Sequence, residues 1–406
     1  MKAVILAAGE GRRCRPLTLT RSKVMLPVAN KPILEHIINA LVENDIKDIV
    51  LVVGYEKERI MDYFEDGLNF GVKIKYVEQK VQIGTAHAIL QTSNMIIGQD
   101  EEKFIVVNGD NIIGARAISD LITGAEGDAT LLACKKDDVS GYGVIVAKGK
   151  RVSEIIEKPK TLVSHLINTG IYLFRQDIFE MIEKTQISAT GEYAITDTLQ
   201  AMIDNGMNVT MTATNAEWLD AAYSWNLLEA NTIVLGDLDP DTANAKIEDG
   251  VNIKGSVSIG KNTTIRAGSY IVGPVVIGDN CDIGPNVVIL PSTCIGNNVS
   301  IASFSYIKNS ILMNDVRVST HSNVSSSVIG SNVSTGPNFI TEEGDDMLIQ
   351  IEGELQSAGK LGTVIGDDTE IGGNVLVRAG NMLSVNCRIN SGKTISEDIP
   401  TDSIVI

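Results

Sequence analysis

Isoleucine occupies positions 247, 253, 259, 265, 271, 277, 283, 289, 295, 301 and 307, every sixth residue without a miss. No helix or ordinary strand repeats at six. A fixed six-residue period is the mark of a parallel β-helix, in which each coil stacks its inward side chains on those of the next coil. The register slips between 308 and 330, a non-repetitive insert spans 341–362, and the period resumes at Ile365, Ile371, Val377, Leu383, Ile389 and Ile395. Residues 245–406 are therefore expected to form one β-helical domain around a column of aliphatic side chains. Gly260, Asn280, Gly284 and Asn298 fall where turns call for positive φ. The insert, acidic at its start (Glu342, Glu343, Asp345, Asp346), is expected to be a loop that is either functional or disordered.

The first 235 residues have a different pattern. Apolar runs at Lys2–Leu6, Ile49–Val53, Val72–Val77 and Phe104–Val107 look like buried strands, and Ile33, Leu34, Ile37, Ile38, Leu41 and Val42 recur at helical spacing between them. Strand and helix alternating at this pitch predict an α/β domain over 1–235 with a mostly parallel sheet covered on both faces. Residues 219–235 are helical in pattern and lie where the two halves join.

Net charge is −17, which disfavours nucleic acid and anionic membrane as partners. Residues 1–31 are the exception: seven Lys or Arg stand against the single acid Glu10, a local excess suited to a small, highly charged anion. No apolar stretch is long enough to span a membrane, and the N-terminal apolar run is too short for a secretory signal. The cysteines at 14, 134, 281, 294 and 387 are scattered without a C-x-x-C pair, which fits a reducing cytoplasm rather than a disulfide framework or zinc site.

The strongest local motif is Leu6-Ala7-Ala8-Gly9-Glu10-Gly11-Arg12-Arg13, directly after the first strand. A third glycine at position 14 and a G-K-[ST] ending are both missing, so it is neither a Rossmann fingerprint nor a Walker A loop. Small residues at 8, 9 and 11 let backbone amides approach phosphate oxygens. Arg13, and Lys23 ten residues on, would supply fixed positive charge where phosphate charge builds up.

Together these residues resemble the sugar-1-phosphate nucleotidylyltransferases. The match runs through Leu6, Gly9, Gly11, Arg13, Pro16, Thr18, Lys23, Pro27, Val28, Lys31 and Pro32, with Arg12 in place of the usual Thr. The resemblance implies a Rossmann-like nucleotidyltransferase domain in which Leu6, Ala8, Gly9 and Gly11 bind the nucleotide. Residues 79–88 are similar to the base-reading segment of the uridylyltransferases, with Gln79, Gly84 and Thr85 contacting the pyrimidine and His87 lining the segment. Asp110, after Asn108-Gly109, takes the place of the family's Mg²⁺ ligand, and Asp220 that of the second ligand; Trp218 beside it is read as core packing. Gly143, Glu157 and Asn168 follow the family's sugar-binding order, and Gly191-Glu192-Tyr193-Ala194-Ile195-Thr196-Asp197 resembles a stretch of the enzymes that act on N-acetylglucosamine 1-phosphate. The implied reaction is nucleotidyl transfer from a triphosphate such as UTP to a sugar 1-phosphate, catalysed by Arg13, Lys23 and Asp110 with Mg²⁺.

Over nearly its whole length the chain resembles the archaeal-type bifunctional uridylyltransferase/glucosamine-1-phosphate acetyltransferases. Their C-terminal domain is a left-handed parallel β-helix that forms trimers and binds acetyl-CoA between coils. Where such proteins carry a histidine base, this chain has Ser303, while Tyr306 and Ser310 are kept. A serine hydroxyl is too weak a base for the task. His321 is the one histidine of the repeat region and either substitutes as the base or is a surface turn residue. Acetylation of glucosamine 1-phosphate thus stays open. So does an alternative with glucose or mannose 1-phosphate as substrate and a non-catalytic trimerising or regulatory β-helix. A wholly non-enzymatic scaffold is disfavoured because Arg13, Lys23, Asp110 and Asp220 are all present.

Overall fold

A computed structural model describes residues 1–98, 102–187 and 191–406. The chain divides into two compact units, Met1–Glu10 with Ile33–Asp220, and Gly11–Pro32 with Ala221–Ile406. The expected domains are 1–235 and 245–406; in this division by contacts both the segment 11–32 and residues 221–235 group with the C-terminal part of the chain.

The first unit is built on a nine-stranded sheet. Its strands, in chain order, are β1 (Lys2–Ala7), β2 (Asp48–Val53), β3 (Lys73–Glu78), β4 (Lys103–Asn108), β6 (Ala129–Lys135), β7 (Gly143–Lys148), β8 (Arg151–Glu157), β9 (Leu166–Arg175) and β10 (Val209–Thr214), while β5 (Asn111–Ile113) and β11 (Trp218–Asp220) form a separate antiparallel pair. The order across the large sheet is β3-β2-β1-β4-β9-β6-β10-β8-β7. Strands β1 to β4 run parallel, and β9 is antiparallel to both β4 and β6. Ala3, Val4, Ile5, Val106 and Val107 are fully buried, as expected of strands covered on both faces. The helix predicted over 33–42 is observed as Ile33–Val42, with Ile33, Leu34, Ile37, Ile38 and Leu41 in the core.

The expected helix at 219–235 is corrected. Leu219 lies in β11, where Trp218, Leu219 and Asp220 pair with Ile113, Ile112 and Asn111, and the helix runs Asn226–Gly236. Pairing with a distant strand outweighs the helical spacing of the local apolar residues.

The second unit is the β-helix, three parallel sheets of nine, eight and seven short strands among the described residues. Ile247, Ile265, Ile283 and Ile301 stand in one register column, and Ile253, Ile271, Ile289 and Ile307 in another. Two five-residue steps, Ile307 to Leu312 and Val324 to Ile329, explain the slip in the period, and every residue at those positions is buried. The insert is an ordered antiparallel hairpin, Gly344–Ile351 against Glu354–Leu361. Left-handed backbone at the corners falls mostly on Asn or Asp, whose side chains stack in ladders such as Asn298 Nδ2 to Asp315 Oδ1 at 3.1 Å and Asn386 Nδ2 to Asp402 Oδ1 at 2.7 Å. Asn280, Gly284 and Asn298 have the expected positive φ; Gly260 does not. It is required for another reason: a Cβ there would lie 2.2 Å from Asp279 Oδ1 and 2.6 Å from the Gly278 carbonyl carbon of the next coil.

The buried column predicts a graded response. Ile289→Ala, at a fully buried position, is expected to lower unfolding stability by about 2–5 kcal/mol in denaturant titrations. Ile247→Ala, at an end position that is 39% exposed, is expected to cost less than about 1 kcal/mol. Equal losses at the two positions would contradict a continuous column.

Candidate active site

In the first unit the candidate residues gather at the carboxyl ends of β1 and β4, the edge at which open α/β sheets bind ligands. The turn after β1 is held from both sides. Tyr55 N donates to Ala8 O (3.1 Å), and Gly109 N donates to Leu6 O (2.9 Å). A Cβ on Gly9 would meet nothing within 4 Å, so there is open space beside the turn. Asp110 follows β4 and directly precedes Asn111, the register partner of Asp220. The β5–β11 pairing thus carries two carboxylates from distant parts of the chain to neighbouring positions. Below them, Asn111 Nδ2 and Trp218 Nε1 both donate to Thr169 O, at 2.8 and 3.1 Å. No group of three or more His, Cys, Asp or Glu side chains placed to hold a metal ion occurs among the described residues. A pair of carboxylates completed by substrate phosphates is a usual donor set for Mg²⁺, which keeps part of its shell for water and phosphate.

The segment 79–88 interlocks with 191–197. Gln79 is buried, and its Nε2 lies 3.1 Å from Gly84 O and 3.0 Å from His87 Nδ1. Gly84 has φ 117°, and a Cβ there would sit 2.3 Å from Tyr193 O. Tyr193 N donates to Ile83 O (2.7 Å), Ala86 N to Tyr193 O (3.0 Å) and Ile195 N to Thr85 Oγ1 (3.0 Å). His87 therefore acts on the segment as expected, by holding the Gln79 amide.

The sugar-order residues also converge. Gly143 and Glu157 are register partners, and Ile167, next to Asn168, pairs with Val144. A Cβ on Gly143 would lie 2.9 Å from Glu157 Oε2 and 3.8 Å from Asn168 Cβ. Asn168 Nδ2 donates to the Tyr172 hydroxyl (2.7 Å). Glu157 is exposed as a residue, yet the protein packed around its carboxyl raises its pKa; Lys158 opposes the rise and Asp197 adds to it.

Sequence reasoning missed Lys136. Its ammonium lies over the rings of Tyr142 (5.4 Å) and Trp218 (5.3 Å), which meet edge to face. Trp218 and Asp220, two apart on one strand, share a face of β11. Trp218 is buried as expected of core packing, but it also seats a cation. Nothing in the spacing of the sequence joins 136 to 218.

Gly11, Arg13 and Lys23 belong to the second unit. Gly11 has φ 68°, a Cβ on it would lie 2.7 Å from Lys23 Cβ, and its carbonyl accepts from Thr18 Oγ1 (2.9 Å). Arg13 lies over the Tyr223 ring at 5.5 Å, and Lys23 is buried in a short 3₁₀ turn, Lys23–Met25. Among the cations in 1–31, Lys2 Nζ bonds Met95 O (2.9 Å) and Arg21 pairs with Asp367, which gives these two a structural role.

The acetyl candidates share one corner of the β-helix. His321 N donates to Ser303 O (3.1 Å), and the imidazole stacks on Phe304 at 5.1 Å. Tyr306 starts the following strand and pairs with Asn323, so His321 stands over Phe304 and not over Tyr306. Ser310 Oγ is taken by Lys308 O at 2.7 Å.

The Nucleotidyl transferase family profile matches residues 2–236, and the GMPPB C-terminal domain profile matches 271–405. Bifunctional protein GlmU of Methanococcus maripaludis strain S2 is 37% identical over 100% of this chain and 97% of its own length. The bifunctional sugar-1-phosphate nucleotidylyltransferase/acetyltransferase of Sulfurisphaera tokodaii is 32% identical over 98% of each. A Bacillus anthracis crystal structure assigned as a glucose-1-phosphate thymidylyltransferase, in complex with sucrose, aligns at TM-score 0.53 and 30% identity, over 60% of this chain and 98% of its own. Fold and match define a nucleotidyl transferase joined to a left-handed parallel β-helix. The chain belongs to the GlmU family of bifunctional sugar-1-phosphate nucleotidylyltransferases/acetyltransferases.

The surroundings of Glu157 predict its titration. Its carboxyl is expected to protonate at higher pH than ordinary glutamates, Lys158→Ala to move that midpoint up further and Asp197→Asn to move it down, read by carboxyl ¹³C NMR. A midpoint in the normal range that neither substitution moves would contradict the packing described.

Proposed function

We propose that the chain transfers UMP from UTP to N-acetylglucosamine 1-phosphate and releases pyrophosphate. The observation that carries this reading is the β5–β11 pairing, which sets Asp220 opposite the residue after Asp110 at the ligand-binding edge of the sheet. Support for uridine comes from the Gln79–Thr85 segment locked to 191–197, and support for an acylamino sugar from Gly143, Glu157 and Asn168 on adjoining strands.

A phosphate oxygen of the sugar 1-phosphate attacks the α-phosphorus of the nucleotide, and pyrophosphate leaves. The attacking oxygen is already anionic, so no general base is required, and catalysis reduces to alignment and charge neutralisation. Leu6, Ala8, Gly9 and Gly11 cradle the nucleotide phosphates through their backbone. Arg13 and Lys23 offset the charge that builds up on the triphosphate. Asp110 and Asp220 would hold Mg²⁺, which when bound supplies positive charge shared between the two substrates. No helix among the described residues is long and apolar enough to cross a membrane. The five cysteines are buried and not joined in disulfides, which suits a cytoplasmic enzyme, and the β-helix suits a homotrimer.

The test is a pyrophosphate-release screen of nucleoside triphosphates against sugar 1-phosphates with Mg²⁺. UTP with N-acetylglucosamine 1-phosphate is expected to lead, and Asp110→Ala or Lys23→Ala to lower turnover by about 10²–10³. Wild-type rates in either variant would overturn the assignment.

A second reading is favoured by Ser303 and by the GMPPB-type match of the C-terminal part. In it, glucose or mannose 1-phosphate is the substrate and the β-helix is a trimerising or regulatory scaffold. The first reading adds acetyl-CoA-dependent acetylation of glucosamine 1-phosphate at the corner of Ser303, Tyr306 and His321, with the imidazole as the available base. Thiol release from acetyl-CoA with glucosamine 1-phosphate, run on wild type and His321→Ala, separates them. Release that falls in the variant supports acetylation with His321 as base. Equal release from both removes His321, and none from wild type selects the scaffold.

A further inference from the structure

The segment 11–32 carries Gly11, Arg13 and Lys23, and along its length it rests on the C-terminal part of the second unit. At its start, Cys14 Sγ lies 3.5 and 3.4 Å from the carbonyl oxygens of Ala221 and Ala222, the residues that follow Asp220. Two residues before Lys23, Arg21 makes a buried ion pair with Asp367 and donates to Ser331 Oγ (3.2 Å), while Thr20 Oγ1 donates to Asp367 Oδ2 (2.6 Å). Seven residues after Lys23, Asn30 Nδ2 donates to Ile295 O (2.7 Å) and Asn30 Oδ1 lies 2.8 Å from Cys294 Sγ. Beside it, Ala29 N donates to Asn231 Oδ1 (3.0 Å), and Asn231 Nδ2 donates to Ser292 O (2.9 Å). Lys23 is thus suspended between two anchors on separate coils of the β-helix.

Asp367 departs from the repeat in a telling way. In four coils one side-chain oxygen at this corner accepts a backbone N–H of the coil before it: Asp279 from Lys261, Asn297 from Asp279, Asn314 from Asn297, and Asp367 from Ser331. The ladder needs a single acceptor, which an amide supplies at 297 and 314 and one carboxylate oxygen supplies at 279. At 367 the carboxylate gives Oδ1 to the ladder and Oδ2 to Thr20 and Arg21. Asp367 is 5% exposed, and a carboxylate so buried needs a charged partner.

We propose that the β-helix is the positioning element of the nucleotidyl-transfer loop, with Arg21–Asp367 and Asn30 as the positioning residues that hold Lys23 and Arg13 where the triphosphate needs them. This rests on the reading that Arg13 and Lys23 bind phosphate. It gives the C-terminal domain a role in the first reaction whether or not it acetylates, and it makes the loop the route by which events on the β-helix reach nucleotidyl transfer.

The test uses the full chain. Asp367→Asn keeps the ladder acceptor and the side-chain size but removes the charge facing Arg21. Two readouts are taken: trypsin cleavage after Arg12 to Lys23, mapped by mass spectrometry, and kcat/KM for the nucleotide. The expected result is faster cleavage confined to this segment and a loss of about 10²-fold in kcat/KM, the scale on which a misplaced catalytic group is felt. Arg21→Lys should retain part of the activity. Arg21→Ala combined with Asp367→Asn should be no worse than either alone, since one interaction is being removed twice. If Asp367→Asn unfolds the coil, Asn30→Gly, which keeps the left-handed backbone (φ 65°), removes the second anchor and should show the same two effects. Wild-type cleavage and kinetics in these variants, or strictly additive losses in the double variant, would overturn the proposal. A wild-type protein inactive with every substrate pair would instead overturn the nucleotidyl-transfer reading, while the cleavage pattern would still report on the anchors.

Discussion

Each inward aliphatic side chain of the β-helix rests on its counterpart in the coil below, and this vertical contact ties the coils into one continuous stack. Residues such as Ile265, Ile283 and Ile301 bury fully only because the next coil covers them. Corners are fixed by the same stacking, through Asn and Asp ladders and through glycines whose Cβ would strike the coil above. A rigid stack offers surface points whose spacing does not drift. The loop bearing Arg13 and Lys23 is fastened to such points at Asp367 and Ile295, and through Asn231 to Ser292.

Rigidity matters because of the chemistry proposed. Two phosphate-bearing substrates repel each other, and neither needs a proton removed, so what a protein can contribute is charge placed in advance. The structure prepares such placement separately in the two units. Strand pairing sets Asp220 opposite Asn111, the neighbour of Asp110, in one, and packing against β-helix coils holds the cationic loop in the other. In each case residues distant in sequence, and not the local loop, set the position of the charged group.

The same distinction explains what was legible in the sequence. The β-helix core could be read because its period is set by stacking and repeated many times. The buried strands and the helix Ile33–Val42 could be read because burial on both faces leaves continuous apolar runs. The phosphate-loop, acidic and sugar-order candidates stand out in the sequence because each lies in a contiguous motif. The remainder depends on contacts between separate motifs. The five-residue steps at 307–312 and 324–329 trade one corner residue for a shorter turn and leave no periodic trace. Leu219 and Asp220 read as the start of a helix until their partner strand is known. Lys136 over Trp218, and Asp367 beneath Arg21, join positions that no spacing rule connects. Gly260 looked like a turn glycine, but it is a clearance glycine.

The most direct measurement is a crystal structure of the full chain with Mg²⁺ and a non-hydrolysable uridine triphosphate analogue. The account predicts a triphosphate lying on the backbone of residues 8–11, with Arg13 and Lys23 on its oxygens, a metal ion on Asp110 and Asp220, and the base against Gln79 and Gly84. A nucleotide bound elsewhere, or side chains at 13, 23, 110 and 220 facing separate regions around it, would contradict the account.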